Sequence, residues 1–172
     1  LRLLEDLGTY INYNGYGERV EDLHFAPAEL FRLVSRYAEP LDFIRDGREH
    51  FEKLENGYRQ DMAAAAAVAP ELATDKVAVF ILPDQAWARR VSGVYSNDLT
   101  NAHPGRAHAV LTEKANGNYL VSVRAPLTNK VGAADLCRRF PTGGGRAAAA
   151  GINDLPGSSL SQFIAEFQAH YA

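Results

Sequence analysis

The hydrophobic side chains of this chain follow a helical spacing over the first 70 residues and a strand spacing after residue 76. In the first part they recur every three or four positions with charged side chains between them, which is typical of helices with one buried face. The second part opens with the continuous apolar run KVAVFIL at residues 76–82, which is typical of a strand buried on both faces of a sheet. A proline and several polar residues at 70–75 separate the two patterns. We therefore predict a domain boundary there, with domains at residues 1–70 and 76–172.

The first 70 residues are predicted to form a helical arm. Two short helices joined by a turn-rich loop account for residues 1–37, and one long helix accounts for residues 40–67, despite glycines at 47 and 57. These helices are too few to enclose a core of their own. We therefore expect four of their apolar side chains to pack on the C-terminal domain or on a second copy of the chain, or to lack an ordered partner. They are Leu30, Leu33, Phe51 and Leu54.

The second domain alternates strands and helices in the order βαββαβα. Helices are predicted over residues 85–99, 132–139 and 160–170, and strands over residues 76–82, 107–112, 119–124 and 148–153. Asn116-Gly117 lies between two of these strands, and Asn-Gly between alternating residues is the strongest short signal for a β-hairpin. We therefore predict an α/β (mixed α+β) fold, in which an N-terminal helical arm precedes a mixed sheet with flanking helices.

Composition narrows the function classes. The net charge of −3 gives no overall field that would attract nucleic acid or an acidic membrane, so any anion binding has to come from a local patch. No stretch approaches the ~18 apolar residues of a membrane span, so we expect no membrane partner. The single cysteine, Cys137, cannot form an internal disulfide. We expect it to be a buried, inert thiol and the compartment to be the cytoplasm.

The stretch FPTGGGRAAAAG at residues 140–151 is the strongest candidate for a functional site. Glycines without Cβ atoms let the backbone approach a bound group, and successive backbone N–H groups can enclose an anion. Arg146 follows the glycines at once, and a guanidinium suits phosphate or carboxylate. Arg124 at a strand end, and Arg138 or Arg139 at the end of the preceding helix, are predicted to add positive charge. The alternative is a flexible turn, but a helix that enters the run and a strand that leaves it favour a site.

Other catalytic motifs are missing from the sequence. The five histidines have no H-x-x-H or H-E-x-x-H spacing, so we expect no metal site and no cofactor within the chain. Ser92 and Ser96 lack the G-x-S-x-G of a hydrolase nucleophile, and no G-K-[ST] follows the glycines as in a P-loop. The function class that remains is an anion-binding surface.

Several motifs together resemble the DHH-associated C-terminal domain of the DHH phosphoesterase superfamily, which includes RecJ-like exonucleases, oligoribonucleases and cyclic-dinucleotide phosphodiesterases. They are VSVR at residues 121–124, GAADLCRRF at 132–140, GGGR at 143–146 and AAG at 149–151, with Ser92-Gly93, Asn97 and Leu99 in the first helix. The resemblance covers about residues 76–156. Residues 1–68 then resemble the tail of the catalytic DHH domain and the helical connector behind it.

The resemblance implies that this chain is the substrate-binding part of a manganese-dependent phosphodiesterase and is not catalytic by itself. The manganese ligands of the family lie on the DHH domain, which would precede Leu1, so we expect a piece of a longer protein. The implied partners are a phosphate-bearing nucleotide or short single-stranded nucleic acid, the missing DHH domain and, as an open option, a second copy in a homodimer. The implied phosphate-binding residues are Gly143, Gly144, Gly145, Arg146, Arg124 and Arg139.

Arg146 departs from the family pattern, in which the glycine run usually ends in a histidine that contacts the substrate phosphate. Arginine keeps a cation at this position, but it cannot act as a neutral acceptor or titrate near pH 7. We therefore keep phosphate binding as the expectation and leave the substrate open among DNA, RNA and dinucleotides.

Two other functions stay open. One is a non-catalytic nucleic-acid-binding or dimerisation domain, in which the glycine run merely packs. The other is acyl-coenzyme-A transfer, in which a glycine-rich loop follows a strand and opens a helix that holds pyrophosphate. Here a helix enters the run and a strand leaves it, and the spacing from Arg139 to Gly143 differs by one residue from that pattern. Acyl transfer is therefore the least favoured of the three.

Overall fold

The computed structural model describes residues 2–172, which form two compact units. The first unit runs from the first described residue to Ala65 and takes in Gln85–Val91. The second unit consists of Ala66–Asp84 and Ser92–Ala172. The two units are described separately below.

The first unit is helical. Its helices are α1 (Arg2–Tyr13), α2 (Pro27–Val34), α3 (Pro40–Asp46) and α4 (Arg48–Ala66), with a 3-10 turn at Val20–Asp22. Both α2 and α3 begin with proline, whose missing N–H has no partner in the first helical turn anyway.

The predicted single helix over residues 40–67 is wrong, because the chain breaks at Gly47 between α3 and α4. Gly47 leaves the helical conformation while its N–H still bonds the Phe43 carbonyl. A Cβ atom at residue 47 would lie 2.8 Å from that same carbonyl oxygen, so only glycine fits this corner.

The expectation that the N-terminal helices lack a core of their own is also wrong. Seven buried apolar side chains form a cluster inside this unit: Leu7, Tyr10, Phe25, Leu30, Phe43, Phe51 and Leu54. Leu33 is partly buried against the same cluster. Aromatic rings allow so few helices to enclose a core, because each ring buries a large area. The rings also contact one another: the ring centroid of Tyr10 lies 5.7 Å from that of Phe51 and 5.1 Å from that of Tyr58.

A buried ionic cluster also holds the first unit together. Arg90 donates from Nε and Nη2 to the two carboxylate oxygens of Asp61, at 2.7 and 3.1 Å, and the Tyr13 hydroxyl donates to Asp61 as well. Arg89 donates to both oxygens of Asp22 at 2.8 and 2.7 Å, and its hydrogen bonds hold the pKa of Asp22 well below its usual range. These contacts fix the short segment Gln85–Val91 within the unit.

The second unit is built on a six-stranded sheet. Its strands are β1 (Leu72–Ala73), β2 (Val77–Leu82), β3 (Ala107–Glu113), β4 (Tyr119–Arg124), β5 (Gly143–Gly145) and β6 (Ala149–Leu155). Its helices are α5 (Ala86–Ala102), which begins in the first unit, α6 (Ala133–Cys137) and α7 (Leu160–His170). The strand order is β1-β2-β3-β4-β6-β5, with β2 and β3 parallel and every other pair antiparallel. The predicted mixed sheet with flanking helices is therefore confirmed.

Two strands were not expected from the sequence. β1 forms within the segment predicted as the domain boundary, and β5 is the glycine run itself, for which no strand was predicted. The order of strands and helices along the second unit is thus ββαββαββα rather than the predicted βαββαβα. The run becomes a strand because Arg146 and Ala149 exchange hydrogen bonds across a tight turn, which brings the glycines alongside β6.

The two faces of this sheet differ. On one face, Val79, Leu111, Val121 and Ile152 are buried with α6 and α7 in the main core of the unit, which also contains Leu136, Phe163 and Phe167. Residues that alternate with these point to the opposite face. There α5 contacts β2 and β4, through Tyr95 against Phe80 at 5.7 Å and through Ser96 bonded to Ser122 at 3.2 Å.

We predict that Asp61→Ala strongly destabilises the first unit. The substitution leaves the Arg90 guanidinium, whose side chain is 13% exposed, without its carboxylate, and it removes the acceptor of the Tyr13 hydroxyl. The expected loss in free energy of unfolding is about 3–5 kcal/mol, as for other broken buried ion pairs. Urea denaturation followed by circular dichroism measures it. Asp42→Ala is the control, because its partner Arg45 is 70% exposed, and a similar loss in both variants would contradict the buried ionic cluster as a stabilising contact.

Candidate functional site

The three glycines of β5 have three different environments. A Cβ atom at residue 143 would overlap the carbonyl oxygen of Cys137, at the end of α6. Gly145 has a φ of +140°, a conformation that side chains rarely allow. A Cβ atom at Gly144 would meet no atom within 4 Å. The fold therefore requires glycine at 143 and 145, while the space above Gly144 is free.

Strand register shows which surface this free space belongs to. Gly144 lies opposite Gly151 of β6, and Gly151 lies opposite Ser122 of β4. Directly opposite residues in an antiparallel pair share one face of the sheet. These three residues are half-buried and form a floor of small side chains on the face away from α6 and α7.

Two of the predicted arginines share that face. Arg124 lies opposite Ala149, and Ala149 exchanges backbone hydrogen bonds with Arg146. The three residues therefore form a row across β4, β6 and the end of β5. With one strand between them, the Cα atoms of Arg124 and Arg146 are about 10 Å apart. We call the surface formed by Ser122, Arg124, Gly144, Arg146, Ala149 and Gly151 the arginine face.

The Arg124 side chain is held in place by polar neighbours. Its Nε donates to Asn97 Oδ1 of α5 at 3.0 Å, and one terminal nitrogen donates to Ser122 Oγ at 2.8 Å. Ser96 donates to the Ser92 carbonyl at 2.6 Å and contacts Ser122 Oγ. These neutral groups hold the guanidinium in a defined position.

The backbone of β5 offers fewer free N–H groups than the sequence suggests. Hydrogen-bonded and non-hydrogen-bonded pairs alternate in an antiparallel ladder. Since Arg146 bonds Ala149, the next hydrogen-bonded pair is Gly144 with Gly151, so the Gly144 N–H is used within the sheet. The Gly143 N–H bonds the Phe140 carbonyl at 3.1 Å. Of the three glycines, Gly145 alone directs its N–H to the free edge of β5.

Arg139 is not brought to the arginine face. It follows α6 on the opposite side of the sheet, where it contacts Nδ1 of His170 at 3.0 Å and Glu166 at 3.5 Å. Arg138 is 62% exposed and pairs with Asp135 of its own helix at 3.6 Å. The structure therefore brings together Arg124, Arg146 and Gly144, and it separates Arg139 from them.

Sequence analysis missed the residues that orient Arg124. The sequence motifs include Ser122 and Asn97 but predict no contact of either residue with Arg124. Strand alternation was the available signal for Ser122, because residues 122 and 124 of one strand point to the same face. Asn97 has no such signal, since its approach to Arg124 depends on how α5 crosses the sheet.

Three further features concern the single cysteine, clusters of metal-ligating side chains and apolar helices. Cys137 is buried, and burial raises the pKa of its thiol to about 11, as fits an inert cysteine. Residues 2–172 contain no group of three or more His, Cys, Asp or Glu side chains that could hold a metal ion. Among these same residues, no helix has both the length and the apolar character needed to cross a membrane.

Comparisons with solved structures find the same fold in proteins of the DHH superfamily. RecJ from Thermus thermophilus in complex with Mn²⁺ is 16% identical with a TM-score of 0.58, over 96% of this chain and 26% of RecJ. The pGpG-specific phosphodiesterase PggH from Vibrio cholerae is 12% identical with a TM-score of 0.50, over 86% of this chain and 47% of PggH. An exopolyphosphatase-related protein from Bacteroides fragilis is 16% identical with a TM-score of 0.51, over 86% of this chain and 44% of that one.

These structural likenesses confirm the predicted resemblance at the level of the fold. The chain spans between about a quarter and a half of the length of the three proteins. No protein-family model matches the sequence, and no curated protein matches it.

We predict that the glycines at 143 and 144 respond oppositely to alanine. Gly143→Ala should destabilise the second unit by about 1–3 kcal/mol, because the new methyl group overlaps the Cys137 carbonyl and forces the backbone to move. Gly144→Ala should leave the melting temperature unchanged or slightly raised, since alanine loses less backbone entropy than glycine on folding. Thermal melts of the two variants test this. Equal destabilisation would mean that the space above Gly144 is occupied by the protein itself.

Proposed function

We propose that this chain is the substrate-binding part of a DHH-type phosphodiesterase and that the arginine face binds the phosphate groups of a nucleotide or short single-stranded nucleic acid. The observation that carries the proposal is the row Arg124–Ala149–Arg146 beside the free space above Gly144. Two guanidinium groups on one face, with only small side chains between them, suit a ligand with negatively charged oxygens.

The chemistry of this surface supports an anionic ligand. None of the six residues that define the arginine face is acidic, so a bound phosphate meets no opposing charge from them. Arg124 is pre-oriented by Asn97 and Ser122, which lowers the entropy that binding would otherwise cost. The described residues provide no hydrogen bond or ion pair to the Arg146 side chain, so it is available to close on a ligand.

The fold likeness supports a role within a longer enzyme. RecJ was solved with Mn²⁺ and PggH is a pGpG-specific phosphodiesterase, and this chain matches only part of each. We propose that residues 1–70 are the tail of a DHH domain and its connector, and that manganese belongs to the catalytic domain before them. The residues of the present chain do not suit that metal, because residues 2–172 contain no cluster of candidate ligands. We also keep the cytoplasm as the proposed compartment, on the basis of the single reduced Cys137.

The second candidate function is a non-catalytic binding or dimerisation domain. The specific observation in its favour is that packing and backbone conformation already account for glycine at 143 and 145. Acyl-coenzyme-A transfer has no such support, because the glycine run pairs as an edge strand with β6 and does not open a helix. The binding experiment below separates the first two candidates.

We predict that phosphate-bearing ligands bind through Gly144, Arg146 and Arg124. Arg146→Ala should weaken binding of a 5′-phosphorylated dinucleotide by about ten- to over a hundredfold, because a charge-assisted hydrogen bond is worth roughly 1.5–3 kcal/mol. Arg146→Lys should retain only part of the wild-type affinity, since an ammonium group cannot form the planar two-pronged contact of a guanidinium. Gly144→Ala should weaken binding by filling the free space, and Arg124→Ala should weaken it as well. Isothermal titration at one fixed salt concentration measures all of these affinities.

Arg45→Ala provides the matched control for this titration. Arg45 lies on α3 in the first unit, where Asp42 and Asp46 neutralise it, so its removal should leave dinucleotide affinity unchanged. Equal affinities of wild type, Gly144→Ala and Arg146→Ala would contradict the proposed site and favour the second candidate function.

We further predict that the isolated chain does not hydrolyse phosphodiesters, with or without added manganese. The expected reason is that the metal ligands belong to a separate catalytic domain in the proposed parent enzyme. Incubation with a fluorescent dinucleotide and Mn²⁺, followed by chromatography of the products, is the measurement. If the purified chain alone hydrolyses the dinucleotide in the presence of manganese, the proposal that catalysis belongs to a separate domain is wrong.

A further inference from the structure

A depression of about 230 Å³ in the second unit lies outside the arginine face and has no role in the function proposed above. It is lined by Asp75, Ala102, His103, Pro104, Gly105 and Arg106. These residues come from the loop before β2, the end of α5 and the turn between α5 and β3. The depression has room for several water molecules or for a small polar group.

Polar atoms beside this depression lack partners. The Nε atom of Arg106 is buried without a hydrogen bond, and no described residue provides the Arg106 side chain with an ion pair. His108 is fully buried next to His103, with ring centroids 6.1 Å apart, and no side chain of the described residues bonds either of its ring nitrogens. Native proteins rarely leave buried polar groups unpaired, so the hydrogen bonding at this end of β3 is incomplete within the chain.

The charge around the depression favours an anion. Arg106 carries a full positive charge, and a guanidinium fork matches the oxygens of a phosphate. Burial, together with nearby Arg106 and His103, lowers the pKa of His108 to about 4, so this ring is neutral at physiological pH and can donate a hydrogen bond without adding charge. Asp75 is the one carboxylate that lines the depression, and it opposes an anion.

Strand register connects the depression with the arginine face. His108 of β3 lies directly opposite Arg124 of β4, and Arg106 precedes His108 by two residues. From strand geometry, the Cα atoms of Arg106 and Arg124 are separated by on the order of 8 Å. One ligand that carries two or more phosphate groups can therefore reach both arginines.

We propose that Arg106 and His103 form a second phosphate subsite, so that this unit binds ligands with at least two phosphate groups more tightly than ligands with one. The proposal rests on the proposed function of the arginine face. Arg106 supplies the charge-assisted contact, and His103 lines the same depression. His108 is a positioning residue behind them, which supplies a neutral hydrogen-bonding group.

The subsite is tested first with inorganic phosphate alone. Ring resonances of the five histidines are recorded by nuclear magnetic resonance during phosphate titration at constant ionic strength. In wild type, the His103 and His108 signals should shift and saturate, whereas those of His24 and His50 should not. Arg106→Ala should weaken this response at least tenfold, while Asp75→Asn should strengthen it about two- to fivefold, because one removes the attractive charge and the other the repulsive one.

The second arm compares nucleotides at fixed salt. The gain in affinity from a nucleoside 5′-monophosphate to a 5′-phosphorylated dinucleotide should shrink at least tenfold in Arg106→Ala. Lys114→Ala is the control, because Lys114 lies at the opposite end of β3 and pairs with Asp154. Arg106→Gln repeats the test with a side chain that keeps most of its packing, and thermal melts verify that each variant is folded.

The outcomes separate this proposal from the function proposed above. The subsite proposal is wrong if the His103 and His108 signals do not shift with phosphate. It is also wrong if Arg106→Ala and Asp75→Asn change the apparent phosphate affinity in the same direction. If dinucleotide binding is then still lost in Gly144→Ala and Arg146→Ala, the proposed function stands. Conversely, a wild-type chain that binds no nucleotide but still shows the phosphate-induced shifts would overturn the proposed function and keep an anion site at Arg106.

Discussion

The geometry of the second unit depends on the close approach of the β5 backbone to the end of α6. At residue 143 the Cys137 carbonyl occupies the place of a Cβ atom, so only glycine lets β5 lie this close to the end of α6. Thr142, just before the strand, has a positive φ of 64°, which is uncommon for a β-branched residue. Its hydroxyl accepts a hydrogen bond from the Asp154 backbone at 3.0 Å, which holds this conformation. Arg146 reaches the row of Arg124 because β5 is held against β6 in this way.

A strand positions charges more precisely than a loop does. If residues 143–145 were a flexible turn, binding a phosphate would have to order both the backbone and the Arg146 side chain, and that ordering would reduce the affinity. In β5 the backbone is already ordered by its pairing with β6. What remains to be fixed is the Arg146 side chain, since Asn97 and Ser122 already hold Arg124. In the proposed site, the glycines would therefore act mainly by placing the cations, and less by donating their own N–H groups than the motif suggests.

The parts of the fold with a strong local signal could be predicted from the sequence. The apolar run became β2, the Asn116-Gly117 hairpin joins β3 and β4, and the last helix has the predicted bounds at Leu160–His170. β5 could not be predicted in the same way, because glycine has low strand propensity and its pairing with β6 is a long-range property of the packed structure. The core of the first unit was missed for a related reason. Phe25 lies in a loop outside any helical pattern, yet it is buried among the helices.

The candidate site shows the same division between local and long-range signals. A guanidinium next to three glycines is visible in the sequence, but whether an arginine is free to bind phosphate depends on the carboxylates near it. Arg89 and Arg90 are consecutive arginines that the sequence cannot distinguish from binding residues, yet Asp22 and Asp61 neutralise them inside the first unit. A phosphate would have to displace those carboxylates at a cost of several kcal/mol. Arg146 and Arg106 have no ion-pair partner among the described residues. Under the proposed function, this difference in prior pairing, rather than the number of arginines, would direct a polyanionic ligand to the sheet of the second unit.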